Sequence, residues 1–297
     1  MGQTNPKPSA PPPGRLYHLD NVRTFLTILV IFHHTAIPYG GLGSWKYVSP
    51  HHAQGSSPIL TAFNALNQTF FMGSFFYMSG IMSSQSLPRK SVPQFLKTKW
   101  IKLGIPVVVY TLLAPPTQVA VIRLLRGTHA EFRQVLTAHL KAPRSVSGPM
   151  WYPALLLLFD TAYALLPHIP LSLPNLAFSH IMLLDIAACS LLRIPSPAHR
   201  VFAPLSVRPD YFPQYLSAYI LGTRSAPKER TSASASALLT PPRRNALLAT
   251  SVLSASFLIS VLRSRPGADA YSFVFLHSGF SAASFAYAVW NESTGFL

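Results

Sequence analysis

The sequence predicts an all-α, polytopic membrane protein with about eight transmembrane helices. Three observations carry this. The chain is 49% hydrophobic and only 11% charged, against about 25% charged residues in soluble domains. Its mean hydropathy is +0.30. Its apolar residues are gathered into blocks near the ~20 residues that a spanning helix needs, with Lys and Arg mainly between the blocks. The net charge of +16 raises the question of nucleic acid, but no nucleic-acid module or basic stripe is present, so the expected partner is the lipid bilayer and not nucleic acid.

Eight apolar segments are read as helices: Val22–Tyr39, Ile59–Met82, Leu103–Ile122, Met150–Pro167, Leu176–Ile194, Tyr211–Thr223, Asn245–Leu262 and Tyr271–Trp290. Asp20 suits the start of the first, where a carboxylate meets unpaired N–H groups. The third contains Pro106, Pro115 and Pro116, which predicts a kink or break. The sixth is short for a span. Residues 1–14 are Pro-rich and read as a disordered tail, and 15–297 as one membrane domain. Residues 224–244 hold an Ala/Ser alternation and Pro241-Pro242, which reads as a flexible loop.

The basic residues before the first helix and in the second loop (Arg89, Lys90, Lys97, Lys99, Lys102) contrast with a single Lys46 in the loop between. That places the N-terminus in the cytoplasm. The next loop, with Arg123, Arg126, Arg133, Lys141 and Arg144, breaks the pattern, and 123–142 has a second reading as an interfacial amphipathic helix. Plasma membrane and endomembrane both remain open.

Arg23 and His34 stand in the first apolar segment, eleven residues apart. That is about three helical turns, so both project from one helix face roughly 16 Å apart. Ionisable groups inside a membrane helix are costly and by default functional. His34 reads either as a structural histidine or as a general base, which its near-neutral titration suits. His33 points about 100° away, toward a second polar contact or the interface. Asp20 and Arg23 share a face and read as a helix-start cap and anchor, or as a fixed charge for an anionic donor. Lys97, Lys99 and Lys102 read as a positive-inside cluster or as phosphate-holding point charges, with Lys99 and Lys102 on one face. Asp160 and Asp185 lie mid-segment and read as structural glue or as a proton relay, with His277 facing the same interior.

The single cysteine, Cys189, cannot form an internal disulfide. His51-His52 lacks a third ligand at metal spacing, so no metal is expected. No Walker loop, nucleophile elbow or dinucleotide fingerprint is present.

These residues carry a resemblance. Leu19-Asp20-Asn21-Val22-Arg23 with His34, Phe75-Phe76-Tyr77-Met78-Ser79-Gly80, Phe95 to Pro106 with its lysines, and Gly148-Pro149-Met150-Trp151-Tyr152 resemble, in order, motifs of the membrane acyltransferase family 3, in a style closest to fungal members. The resemblance implies a membrane O-acyltransferase that moves an acyl group, acetyl foremost, from acyl-CoA as co-substrate to a hydroxyl of a carbohydrate, lipid or secondary metabolite, with no bound cofactor. It makes His34 the catalytic histidine, with Arg23 as its first-helix partner and Asp20 one turn before Arg23. Lys99 and Lys102 fall where the family has Arg-x-x-Arg, and with Lys97 they would hold acyl-CoA. His33, Ser79, Trp151 and Tyr152 would contact substrate. Two departures stand out: Lys replaces Arg, losing the bidentate fork, and the fourth helix lacks a Glu found in one branch. The family has about ten helices, so the chain is expected to be truncated at its C-terminus. The alternative functions are a proton-coupled transporter using Asp160, Asp185 and His277, and a truncated, non-catalytic homologue.

Overall fold

A computed structural model describes residues 17–43, 47–52, 57–128, 131–141, 145–146, 148–166, 178–195, 201–225, 240–263 and 281–295. The architecture is all-α. Among the described residues the one β feature is an isolated bridge between Phe202 and Val207. The helices are α1 (Tyr17–Ala36), α2 (Pro58–Ser86), α3 (Val92–Lys99), α4 (Ile105–Leu125), α5 (Phe132–Lys141), α6 (Trp151–Leu165), α7 (Phe178–Leu192), α8 (Phe212–Ser225), α9 (Pro241–Arg263) and α10 (Ala282–Gly295).

Local chemistry sets several boundaries. Ser57 caps α2, its Oγ accepting from the Leu60 N–H at 3.4 Å, with Pro58 following in the first turn. At the start of α3 the Ser91 N–H donates to Gln94 Oε1 at 3.4 Å. Asp20 lies one turn inside α1 and is not its cap, since the helix starts at Tyr17. The tail 1–14 lies outside the described residues. Of 224–244, the described ends are helical: α8 reaches Ser225 and α9 opens on Pro241, because Pro is tolerated in a first helical turn.

The expected break in the third segment lies at Pro106 and not at Pro115 or Pro116. α4 runs unbroken through Pro115 and Pro116, and a π-turn at Trp100–Gly104 precedes it. In that turn the Ile105 N–H reaches back five residues to Trp100 O, one residue ahead of Pro106, whose ring would crowd a regular helix. Pro115 offers no N–H to Thr111 O. His139 of α5 donates to that carbonyl instead, at 3.0 Å.

α5 folds back antiparallel along α4, and α6 continues in the same direction. Leu157 meets Gly104 and Asp160 meets Lys99. Two short helices together therefore retrace the path of α3, the π-turn and α4. Among the described residues, two helices are long and apolar enough to cross a membrane, Val92–Leu125 and Pro241–Val261. α6, α8 and α10 have 15, 14 and 14 residues, shorter than the expected spans.

α1 lies antiparallel to α2, placing Arg23 beside Met82 and His33 on Phe71. α2 and α8 run parallel with their backbones in near contact. A Cβ on Gly80 would collide with Tyr219 O, and one on Gly222 with Tyr77 O. Close approach through small residues is how helices associate where burial of apolar surface offers no gain. Phe76, fully buried, centres the core, with ring centroids of Tyr152, Tyr215 and Phe159 at 4.9, 5.1 and 5.3 Å.

The distribution of side chains departs from that of a soluble protein. Asn64, Thr69, Ser83, Asp160, Asp185, Asn291 and Glu292 are buried. Phe25, Ile28, Ile31 and Phe32 of α1, Val108, Val109, Leu112 and Leu113 of α4, and Val252, Leu253 and Phe257 of α9 point outward. Soluble monomers rarely expose apolar surface on that scale; a bundle bathed in lipid does.

Candidate functional site

Arg23, Met82, Ser83, Lys99 and Asp160 form one layer at the end of the bundle where α1 begins and α2 ends. Asp160 is fully buried. It receives the Lys99 ammonium on Oδ2 at 2.8 Å and the Tyr219 hydroxyl on Oδ1 at 2.7 Å, with Ser83 Oγ also on Oδ1. Lys99 also donates to Ser83 Oγ at 2.9 Å, and its Nζ lies 5.2 Å from the Phe95 ring centroid. The lysine keeps 19% exposure. A lone buried carboxylate would be prohibitive here, and this pairing is the compensation.

The expected pairing of Lys99 with Lys102 on one face is corrected by the π-turn between them, which changes the angular spacing. Lys99 turns inward to Asp160, whereas Lys97 and Lys102 are exposed. Arg23 is exposed at the same layer, with Nη1 at 3.5 Å from Met82 Sδ. Thioether sulfur is a weak acceptor, so this contact occupies little of the donor fork of Arg23. Asp20 is half-buried one turn earlier, and its carbonyl accepts from Thr24 Oγ1 at 3.0 Å.

One layer further in, Ser79 and Tyr152 share a hydrogen bond of 2.8 Å, and the Tyr152 hydroxyl also lies 3.4 Å from Phe75 O. Trp151 packs beside Tyr152 and Phe76. Ser79 and Ser83 are four residues apart, so α2 presents both on one stripe.

The histidine pair lies deeper, three turns along α1 from Arg23. His34 is half-buried, with Nδ1 2.8 Å from Val30 O. A carbonyl only accepts, so Nδ1 carries the hydrogen and Nε2 is the basic nitrogen of the neutral ring. His33 is buried and stacked on Phe71 with centroids 4.9 Å apart; its Nδ1 has no hydrogen-bond partner. The His33 and His34 rings meet edge to face at 5.4 Å. An open apolar cleft of about 380 Å³ between α1 and α2, lined by Phe32, Thr35, Tyr39, Ile59 and Phe63, occupies the face of α1 turned away from His34.

A second polar cluster was visible in the sequence only through Asp185. Arg193, fully buried, donates through Nε to Asp210 Oδ2 at 3.3 Å and through Nη1 to Ser284 O at 2.9 Å. Arg208, in the connection before α8, forks onto both Asp210 oxygens at 3.0 and 2.7 Å. Burial pulls its guanidinium down, but the neighbouring Tyr211 and Asp210 more than reverse this, so it stays charged. Asp185 accepts from Ser217 at 2.7 Å, apart from Asp160. His180 is exposed, and His277 lies outside the described residues. Of the residues that were missed, Ser83 had a signal in its spacing from Ser79; Tyr219 and Arg193 had none. Among the described residues no cluster of His, Cys, Asp or Glu suits a metal ion.

No curated protein and no solved structure matches the chain. The profile of the Acyltransferase domain family matches residues 16–294, nearly its whole length, so the chain belongs to the acyltransferase family 3.

Proposed function

We propose that the protein is a multi-pass integral membrane O-acyltransferase, crossing the bilayer about eight times from a cytoplasmic N-terminus. It moves an acyl group, acetyl foremost, from acyl-CoA to a hydroxyl on a carbohydrate, lipid or secondary metabolite. The observation that carries this reading is the spacing on α1: cationic Arg23 stands at the bundle end, and His34 lies about three turns, roughly 16 Å, further in. An elongated donor with an anionic head and a distal thioester fits that separation.

In this reading Arg23, with the exposed Lys97 and Lys102, attracts the phosphates, and Lys99 offers its remaining donor from the Asp160 pair. Ser79, Tyr152, Trp151 and His33 line the path inward. His34 Nε2 takes the acceptor hydroxyl proton as the oxygen adds to the thioester carbonyl. The C–S bond then breaks, and the leaving CoA sulfur receives that proton from His34. Asp20 steadies Arg23 from the preceding turn.

The transporter reading asks Asp160 to carry protons. Its ion pair with Lys99 and its bonds from Ser83 and Tyr219 favour a fixed charge instead. The test is transfer of a radiolabelled acetyl group from acetyl-CoA by the purified chain in nanodiscs. Label appearing on a hydroxyl acceptor or released as acetate supports the reading; label that stays wholly on CoA contradicts it.

A further inference from the structure

Away from the layer assigned to acyl-CoA, α7 and α10 enclose a second set of ionisable groups. Asp185, Cys189 and Arg193 follow one another at intervals of four, so they form one stripe. That stripe faces α10. Cys189 Sγ lies 3.5 Å from Glu292 Oε1, and Arg193 Nη1 bonds Ser284 O. Glu292 is fully buried and Asp185 is 4% exposed. Each carboxylate has one oxygen served by neutral donors, Ser217 for Asp185 and Asn291 and Cys189 for Glu292. The other oxygen of each, Asp185 Oδ2 and Glu292 Oε2, is buried without a hydrogen-bond partner, and so is Asn291 Oδ1.

The charges do not balance. Both guanidiniums near the cluster, Arg193 and Arg208, are ion-paired with Asp210, and Arg193 Nη2 is buried without a hydrogen-bond partner. Three acids against two arginines leave one negative charge unmatched, in an interior where an unpaired carboxylate is prohibitive. The flanking phenols Tyr211 and Tyr287, bonded to each other at 2.9 Å, supply no cation. Among the described residues nothing else charged faces the pair.

We propose that Asp185 and Glu292 retain one proton between them, forming a buried acid–carboxylate pair that fastens α7 to α10. The bound species is a proton: the unpartnered atom on each carboxylate is an acceptor oxygen, and one O–H donor both supplies a bond and removes the excess charge. Two acids in one low-dielectric site titrate as a unit, so the proton belongs to the pair. This inference is independent of acyl transfer.

Infrared spectroscopy of the full chain in nanodiscs tests it. The chain has only 8 acidic side chains, which keeps the carboxyl region legible. The expected result at neutral pH is one protonated-carboxyl C=O band in the wild type, absent from both Asp185→Asn and Glu292→Gln. Ser217→Ala and Cys189→Ala, which each remove one neutral donor and keep both acids, should shift that band; they also serve if the acid variants fail to fold. A wild type without the band overturns the proposal. So does a band that survives in both acid variants, or that is unmoved in both donor variants.

Discussion

Lys99 and Asp160 are ion-paired at 2.8 Å, with Asp160 fully buried and Ser83 hydrogen-bonded to both partners. The pair ties the start of the α3–α4 path to the middle of α6. Removing one partner of a buried pair typically costs about 3–5 kcal/mol, because the other charge is left stranded. The partial exposure of Lys99 puts the expected loss toward the lower end. Asp160→Asn should lower the Tm in detergent by several degrees, and Asp160→Asn combined with Lys99→Met should regain a large part of that. Equal Tm values for wild type and both variants would show that the pair contributes nothing.

Tyr152 and Ser79 share a 2.8 Å bond in the layer between Arg23 and His34. Tyr152→Phe leaves the ring on Phe76 and removes only the hydroxyl. A net bond of this kind is worth roughly 0.5–1.5 kcal/mol. If it orients bound substrate, KM for acyl-CoA or acceptor should rise about two- to tenfold while the Tm changes little. A lowered Tm with KM unchanged would make it a structural bond only.

The contact between α2 and α8 gives a steric test. Gly222→Ala would drive a methyl group into Tyr77 O, backbone against backbone. It should lower the yield of folded protein and its Tm. Gly73→Ala on the same α2 has nothing within 4 Å of the new Cβ and should gain up to about 1 kcal/mol from helix propensity. Equal effects from the two would contradict the close approach.

Lys97 and Lys102 are exposed at the bundle end that holds Arg23. Changing both to Glu should raise KM for acyl-CoA at low salt, and the difference from wild type should shrink as salt is added, because exposed charges are screened over about 10 Å at 0.1 M. A KM indifferent to both charge and salt would remove these lysines from donor recognition.

Much of the helix pattern was legible in the sequence, because lipid-facing residues must be apolar over long runs. Helices of the expected segments appear from α1 to α10, although 271–280 lies outside the described residues. The expected kink or break in the third segment lies at Pro106 and not at Pro115 or Pro116, because proline marks where a hydrogen bond is lost, not where the chain finds a substitute. Here the substitutes are the π-turn and His139, far along the chain. Asp160 was legible as a buried acid needing a partner. That Lys99 would be the partner was not, since pairing between distant segments depends on how α6 retraces α3. Glu292 was not singled out in the sequence, because nothing local reveals that α7 covers it.

The central claim rests on His34. Release of free CoA from acetyl-CoA should be followed for the chain in nanodiscs, beside a His34→Ala variant shown to be folded by its Tm and elution profile. The account predicts steady release by the wild type and its loss, by about a hundredfold or more, in the variant. Equal release by a folded His34→Ala protein would contradict it.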